Sequence, residues 1–394
     1  MSKDRDYYCD RKFNELMLNF ELKTVSACCA ADQQKIDFDD LKINGLLNIS
    51  SVKNERKQML SNLRVNSCEN TCWKVEDDHL PSIRLIRQSN TGMYQNSHVS
   101  EITCMNIYLG SRCTLTCSYC SKDSSRAWSE ELKKNGDYQI NGSDASIYKI
   151  SKKNQIVNQT KQDFLYTGPQ FQTLYDQLNE CKDSISTWYI AGGEPFLYEQ
   201  QLLDLIKIIP PTAEIIILTG LGLPKNKFVK LISILQTYPN FKLGISAENL
   251  NALYEFNRYG NTFFHFLEML NLIKAANIKY QFYSTLSNIT AFGYIDFLNF
   301  VDAEIEETVC VSPAFLKVQN IDDDSKYQLL ELLDKQNNKK FKVLIELLQS
   351  EYQVAPDDQK NLAIFLKEFS ARRNLNLNIF PKTFLKWLDI HVVQ

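Results

Sequence analysis

The segment Cys113-Thr114-Leu115-Thr116-Cys117-Ser118-Tyr119-Cys120 limits what this chain can fold into more than any other. Its three thiols stand at CxxxCxxC spacing directly after an apolar run, Ile102–Leu109, that reads as a strand. A tight cysteine loop is thereby placed at the C-terminal end of a strand, where open α/β sheets and barrels gather their chemistry. Cysteine thiolates at such short spacings hold iron–sulfur clusters. Three ligands to a four-iron cubane leave one iron for something that is not protein. Structural zinc asks for four closed ligands, usually in two pairs, so the loop alone suits zinc poorly.

A short motif needs its context to agree. Residues 101–320 alternate strand-like and helix-like stretches, the pattern of an α/β fold with a parallel sheet. Strands are expected near 102–109, 186–191, 214–219, 242–246, 279–285 and 308–312. The second ends in Gly192-Gly193-Glu194-Pro195-Phe196. Glycines there let the backbone approach a ligand closely, the carboxylate can accept from an ammonium, and the proline can open the next helix. The later strands end in polar residues: Thr219, Ser246 with Glu248, then Thr285 with Asn288. Arg258, in Asn257-Arg258-Tyr259-Gly260, is suited either to a bidentate carboxylate contact or to a surface ion pair. Residues 129–163 read as an irregular polar insertion near the site's mouth. Residues 321–394 read as helices over Ser325–Gln349, Asp357–Arg372 and Thr383–Val392, a packing and lid region.

Eleven cysteines in a chain without a signal-peptide pattern are expected to be metal ligands or catalytic groups rather than disulfides. The charged N-terminus and the lack of any long apolar run point to a cytoplasmic protein with no membrane partner. A net charge of −3 gives no footprint for nucleic acid. Residues 1–100 form an expected cysteine-bearing module. Phe13–Phe20 and Leu22–Ala27 could pair as a hairpin, with Cys9 at its entry, Cys28-Cys29 at its exit, and Cys68 and Cys72-Trp73 downstream. Cys104, Cys181 and Cys310 read as small core hydrophobes.

Together these motifs resemble the radical S-adenosylmethionine (radical SAM) superfamily, in its subgroup with a twitch or SPASM-like accessory segment, here placed before the core. The resemblance implies a partial (β/α)6 TIM-type barrel over 101–320, a cysteine-rich, twitch-like module over 1–100, and a helical region over 321–394. It implies a core 4Fe–4S cluster on Cys113, Cys117 and Cys120, with SAM chelated at the free iron. Tyr119 would stand beside the adenine. Gly192, Gly193, Glu194 and Pro195 would hold the SAM amino group, and Thr219, Ser246, Glu248, Arg258, Thr285 and Asn288 would supply further contacts. Glu248 replaces the aspartate of a Ser-x-Asp pattern, and Ser124-Ser125-Arg126-Ala127-Trp128 matches a Ser-x-x-Trp tail.

Cys9, one of Cys28 and Cys29, Cys68 and Cys72 would hold an auxiliary 4Fe–4S cluster, with zinc as the alternative. Cys72-Trp73, Glu76 and Ser82-Ile83-Arg84 follow the pattern of that segment, but its downstream pair is spaced CxxxC rather than CxxC and its hairpin turn lacks a glycine. The implied reaction is reductive cleavage of SAM, fed by a one-electron donor such as flavodoxin or ferredoxin. A hydrogen atom is then removed from a peptide or protein side chain or from a small molecule. Epimerisation would need a hydrogen donor, for which Cys310 is the candidate. No leader-binding domain is evident. A degenerate, non-catalytic binding protein is the reading from a different class, against which the intact cysteines and Gly-Gly-Glu stand.

Overall fold

The structure, a computed structural model, describes residues 7–77, 82–86, 94–150, 168–336, 341–350 and 354–390. They divide into two compact units: Met1–Ser111 with Lys161–Leu218 and Lys230–Lys242, and Arg112–Thr160 with Thr219–Val229 and Leu243–Gln394.

The strands of the first unit are β1 (Glu15–Asn19), β2 (Thr24–Ser26), β3 (Gln34–Lys35), β4 (Cys104–Tyr108), β5 (Thr187–Ala191) and β6 (Glu214–Thr219). They lie in the order β3-β2-β1-β4-β5-β6. β1 and β2 form the expected antiparallel hairpin, and β4, β5 and β6 are parallel neighbours. In β6, Ile215, Ile216 and Ile217 are all buried, which is why this strand reads as a continuous apolar run rather than an alternation. The N-terminal segment is not walled off from this sheet. β1 runs parallel to β4 with Glu15 opposite Cys104 and Asn19 opposite Tyr108.

The missing glycine in the hairpin turn has a local explanation. Asn19 Oδ1 accepts from the Leu22 N–H at 2.9 Å, and Lys23 itself takes the left-handed conformation at φ 52°. The CxxxC spacing is accommodated too. Glu69–Trp73 forms a π-helical turn, whose wider repeat absorbs the extra residue.

The second unit holds β7 (Phe241–Ser246), β8 (Tyr280–Leu286) and β9 (Ile305–Val309), with β7–β8 and β8–β9 parallel. The alternation of strand and helix from β4 to β9 is that of a partial TIM-type barrel. The last strand starts and ends three residues earlier than its expected 308–312. β9 is half-exposed and tolerates Glu306 and Glu307, which disguise it. Phe282 of β8 meets Phe297 of helix Tyr294–Phe300 edge-on at 5.5 Å.

Two further expectations need correction. The supposed irregular insertion is packed over its described part: helix Arg126–Asn135 carries Trp128, a 3₁₀ turn at Ser143–Tyr148 ends in Tyr148, and Tyr138 lies between them, all three fully buried. Residues 151–163 of that stretch lie outside the described residues. The C-terminal region holds separate helices, Asp323–Gln336, Lys342–Gln349, Pro356–Arg373 and Lys382–Trp387. Residues 337–340 and 391–394 are outside the described set. Among the described residues no helix is long and apolar enough to cross a membrane.

Candidate functional site

The cysteine loop in the second unit is held by its own backbone and by five neighbours. The Thr116 N–H donates to the Tyr259 carbonyl and the Ser118 N–H to the Asn257 carbonyl, each at 2.9 Å. The Ser118 hydroxyl donates to Asn257 Oδ1 at 2.7 Å. The Ser-x-x-Trp tail explains itself here. Ser125 caps helix Arg126–Asn135 and donates to the Leu115 carbonyl at 2.7 Å, and the Trp128 indole N–H donates to the Cys117 carbonyl at 2.9 Å. Glycines give the loop room. A Cβ on Gly220 or Gly222 would stand 3.0 or 3.1 Å from Leu115, and one on Gly260, at φ +107°, would stand 2.8 Å from the Thr114 carbonyl.

No motif marks the fifth neighbour. Arg373, buried at the end of helix Pro356–Arg373, donates to Thr116 Oγ1 at 3.1 Å, to the Tyr138 hydroxyl at 3.0 Å and to Glu131 at 2.9 Å. Its guanidinium also lies 4.8 Å from the Trp128 ring centre and 3.8 Å from that of Phe369.

Cys117 is buried, and Cys113 and Cys120 are half-buried. The Leu115 N–H donates to Cys113 Sγ at 3.4 Å, and Arg258 Nη1 to Cys117 Sγ at 3.8 Å. Donors aimed at sulfur favour thiolates. Burial, and then the neighbouring Cys117 and Cys113, push the Cys120 thiol up, a cost that a metal relieves by taking the proton's place. Three facing thiols with N–H donors fit an iron–sulfur cluster.

Beside the loop, Arg258 makes the bidentate contact, and its partner is Glu248, at 2.6 and 3.1 Å. Both residues are buried, so the surface-pair alternative is excluded. Glu248 Oε1 also accepts from the Tyr119 hydroxyl at 2.7 Å and the Thr285 N–H at 3.3 Å. The Arg258 guanidinium lies 5.4 Å from the Tyr119 ring centre. Burial and the Glu248 carboxylate hold the Tyr119 phenol protonated, well above its usual range. In this structure Glu248 organises Tyr119, Arg258 and β8.

Ser246 is half-buried at the end of β7, opposite Tyr283. Thr219 Oγ1 accepts from the Leu221 N–H at 3.0 Å, and Thr285 Oγ1 sits 3.4 Å from Thr308 Oγ1. Asn288 is fully buried, and its Nδ2 donates to the Phe315 and Asn320 carbonyls at 2.8 and 3.1 Å, bracing that loop. The Cys310 thiol donates to the Ser312 carbonyl at 3.6 Å.

In the first unit the Gly-Gly-Glu turn follows β5 directly. The Gly193 N–H donates to the Gly110 carbonyl at 2.7 Å, and a Cβ on Gly192 would lie 2.9 Å from that same oxygen. Glycine is therefore needed for close backbone approach to the end of β4. Glu194 is buried and caps the turn Pro195–Leu197 by accepting from the Phe196 N–H at 3.3 Å. Glu21, in the hairpin turn, accepts from the Ser111 N–H at 2.5 Å and so fixes the residue two places before Cys113.

The N-terminal thiols do converge. Cys9, Cys28 and Cys68 lie in one buried cluster with Trp73, and Cys72 is close enough to Cys9, Cys68 and Cys28 to act on them electrostatically. Cys28 packs in this group, and the Cys29 thiol lies within 4.8 Å of the Cys28 thiol and of a Glu15 carboxylate oxygen. Cys29 is exposed, with its thiol 3.2 Å from Arg11 Nη2 and its N–H on Glu15 at 2.7 Å. Cys28 Sγ accepts from the Ala30 N–H at 3.4 Å, and the positive charges of Arg11 at Cys9 and Cys28 and of Lys12 at Cys68 also favour thiolates there. Neutral thiols gain little from such partners, whereas metal-bound thiolates need them. Burial, first, and neighbouring thiols push Cys9 up to about 12 and Cys68 up to about 11. Arg84 pairs with Glu76 at 2.5 Å and lies 4.9 Å from the Trp73 ring centre.

A model of the radical SAM superfamily matches residues 107–308, more than half of the chain. The chain belongs to the radical SAM superfamily, an enzyme family whose cofactors are a 4Fe–4S cluster and SAM. No curated protein matches it. Solved structures similar to this radical SAM chain include native anSMEcpe with bound AdoMet, at 15% identity over 68% of this chain and 59% of that one, with a TM-score of 0.32. Streptococcus suis SuiB is similar too. Bound to S-adenosylmethionine it shows 12% identity over 88% and 76% of the two chains, with a TM-score of 0.39. Bound to precursor peptide SuiA it shows 14% over 89% and 77%, with a TM-score of 0.36. The match spans 59% of the anSMEcpe chain's length.

Proposed function

We propose that this chain is a radical SAM enzyme that oxidatively modifies a peptide or protein side chain and carries an auxiliary metal centre on Cys9, Cys28, Cys68 and Cys72. The convergence of those four thiols, three of them in one buried cluster with Trp73 and Cys72 close beside them, carries the reading, together with the sequence likeness to twitch-type proteins. Bound at Cys113, Cys117 and Cys120, a reduced 4Fe–4S cluster and SAM supply a 5′-deoxyadenosyl radical able to remove a hydrogen atom from an unactivated C–H bond. The chain's own residues position and exclude. Arg258 offsets charge at Cys117 while Glu248 fixes its direction. The Gly-Gly-Glu turn is assigned the SAM ammonium, and Tyr119 the face of the adenine. Flavodoxin or ferredoxin is assigned as the electron donor. The auxiliary centre, in its iron–sulfur form, offers a place for the electron left on an oxidised substrate.

The test is anaerobic reconstitution of wild type and of Cys113/Cys117/Cys120→Ala, with iron, sulfide and 5′-deoxyadenosine measured after dithionite and SAM. About eight irons in wild type and about four in the variant are expected for two Cys-ligated cubanes, with nucleoside from wild type alone. Addition of pooled peptides is expected to raise nucleoside formation. Stimulation by pooled small metabolites instead would overturn the peptide assignment. Iron bound without any nucleoside would overturn the enzymatic one.

A further inference from the structure

One buried charge beside the N-terminal thiols has no role in packing alone. Lys12 is 1% exposed. Its ammonium has three N–H donors. Glu55 Oε2 takes one at 2.6 Å and Ser67 Oγ another at 3.0 Å. Its charge also acts on the thiol of Cys68, the next residue after Ser67. The turn Asn66–Cys68 thus carries both the hydroxyl that orients the ammonium and a thiol close beside it. A buried ion pair is commonly replaced by apolar residues without loss of stability, so a lysine beside a thiol calls for a reason other than the fold. Two guanidiniums also act on the set, Arg11, paired with Glu15, on Cys9 and Cys28, and Arg84, paired with Glu76, on Cys9 and Cys72, which leaves Lys12 as the cation beside Cys68.

We propose that Lys12, opposed by Glu55, sets the reduction potential of an iron–sulfur centre held by Cys9, Cys28, Cys68 and Cys72, an inference that rests on the auxiliary-centre reading above. On reduction the centre gains one electron and one negative charge. A fixed ammonium at its edge, in a water-poor setting, stabilises the added charge. Glu55 partly cancels that effect. The two side chains therefore act with opposite signs. Lys12 is a positioning residue acting through Cys68; it touches no reacting atom.

The test uses the full chain with Cys113, Cys117 and Cys120 replaced by alanine, so that one centre titrates. The protein is reconstituted anaerobically, and the centre is reduced stepwise with dithionite under EPR. Lys12→Met is expected to make the centre about tenfold harder to reduce, a fall of about 59 mV for one electron. Glu55→Gln, which keeps its hydrogen bond from Gln34, is expected to shift the midpoint upward. The double variant Lys12→Met/Glu55→Gln buries no lone charge, so it guards against misfolding of either single variant; its midpoint should fall between theirs. Shifts of the same sign in both single variants would show general loosening and overturn the proposal. So would midpoints unmoved with iron and sulfide fully bound, which leaves the auxiliary-centre reading intact. Zinc in place of iron would overturn this proposal while leaving a metal on the four thiols, and binding of neither metal would overturn the auxiliary-centre reading as well; metal analysis separates the outcomes.

Discussion

Replacing Arg373 with alanine is expected to free the cysteine loop from the C-terminal helix. The side chain holds Thr116, Tyr138 and Glu131 at 3.1, 3.0 and 2.9 Å. Removing one partner of a buried ion pair costs about 3–5 kcal/mol when the other is left alone. Glu131 keeps Arg372 at 2.8 Å, which puts the expected loss near the low end, about 3 kcal/mol. At about 2.1 cal/mol/K of unfolding entropy per residue, a chain of 394 residues shifts by about 1 °C per kcal/mol, so Tm should fall by about 3–4 °C. Arg373→Lys keeps the charge but not the planar fork, and should fall between alanine and wild type. The control is Arg126→Ala in the same region. Its pair with Glu130 is exposed and worth about 0.3–0.5 kcal/mol. The assay is thermal melting of the reconstituted protein, joined to the rate of iron release into a chelator. Arg373→Ala should release its core-loop iron faster, and Arg126→Ala should not. A melt within 2 °C of wild type, with unchanged iron release, would refute the reasoning.

Gly260→Ala should act on the same loop from the other side. Its φ of +107° and the 2.8 Å approach of a Cβ to the Thr114 carbonyl predict a loss of about 1–3 kcal/mol and lower iron content, read by melting and metal analysis. Trp128→Phe removes the indole donor to the Cys117 carbonyl and should cost about 1–3 kcal/mol, with most of the aromatic packing kept. Glu307 gives a pH-dependent case. Burial raises its carboxyl, against the hydrogen bond from Tyr294. A folded-state value above the unfolded one means that the stability it supplies is whole below about pH 4.3 and is lost as pH rises through the folded value. Glu307→Gln should therefore melt higher than wild type at pH 8, by about 1 °C for each kcal/mol relieved, with the difference gone at pH 4. A gain that persists at pH 4 would refute the charge argument.

The readable parts of this chain were those where chemistry or burial fixes residue type. β6 is legible because a strand covered on both faces reads as an apolar run, and β4, β5, β7 and β8 because aromatic and aliphatic residues occupy buried positions along them. The cysteine loop and Gly-Gly-Glu are legible because few other residues can hold iron or let a backbone pass so close. β9 was misplaced because a half-exposed strand admits glutamates. Tyr138 and Tyr148 were read as loop because the aromatics are sparse, although they pack around Trp128 with Phe365 and Phe369. Arg373 was invisible because its partner Thr116 is 257 positions away. Lys12 looked like any lysine in a charged segment. The choice between Cys28 and Cys29 turns on burial after β2, which adjacency in sequence does not encode.

The parallel pairing of β1 with β4 bears on how far the N-terminal segment is a detachable module. Glu15 alone binds Arg11, the Cys29 N–H and Asn106 of β4. A fragment cut to begin at residue 101 would lose more than a set of thiols. It would open one whole side of β4, baring a row of N–H and C=O groups that in the intact chain belong to β1, and such bared edges invite other strands. Thiol loading and sheet completion are thus physically joined in one cooperative body. A core prepared without its N-terminus should be judged first by whether it stays monomeric, and only then by whether it holds iron.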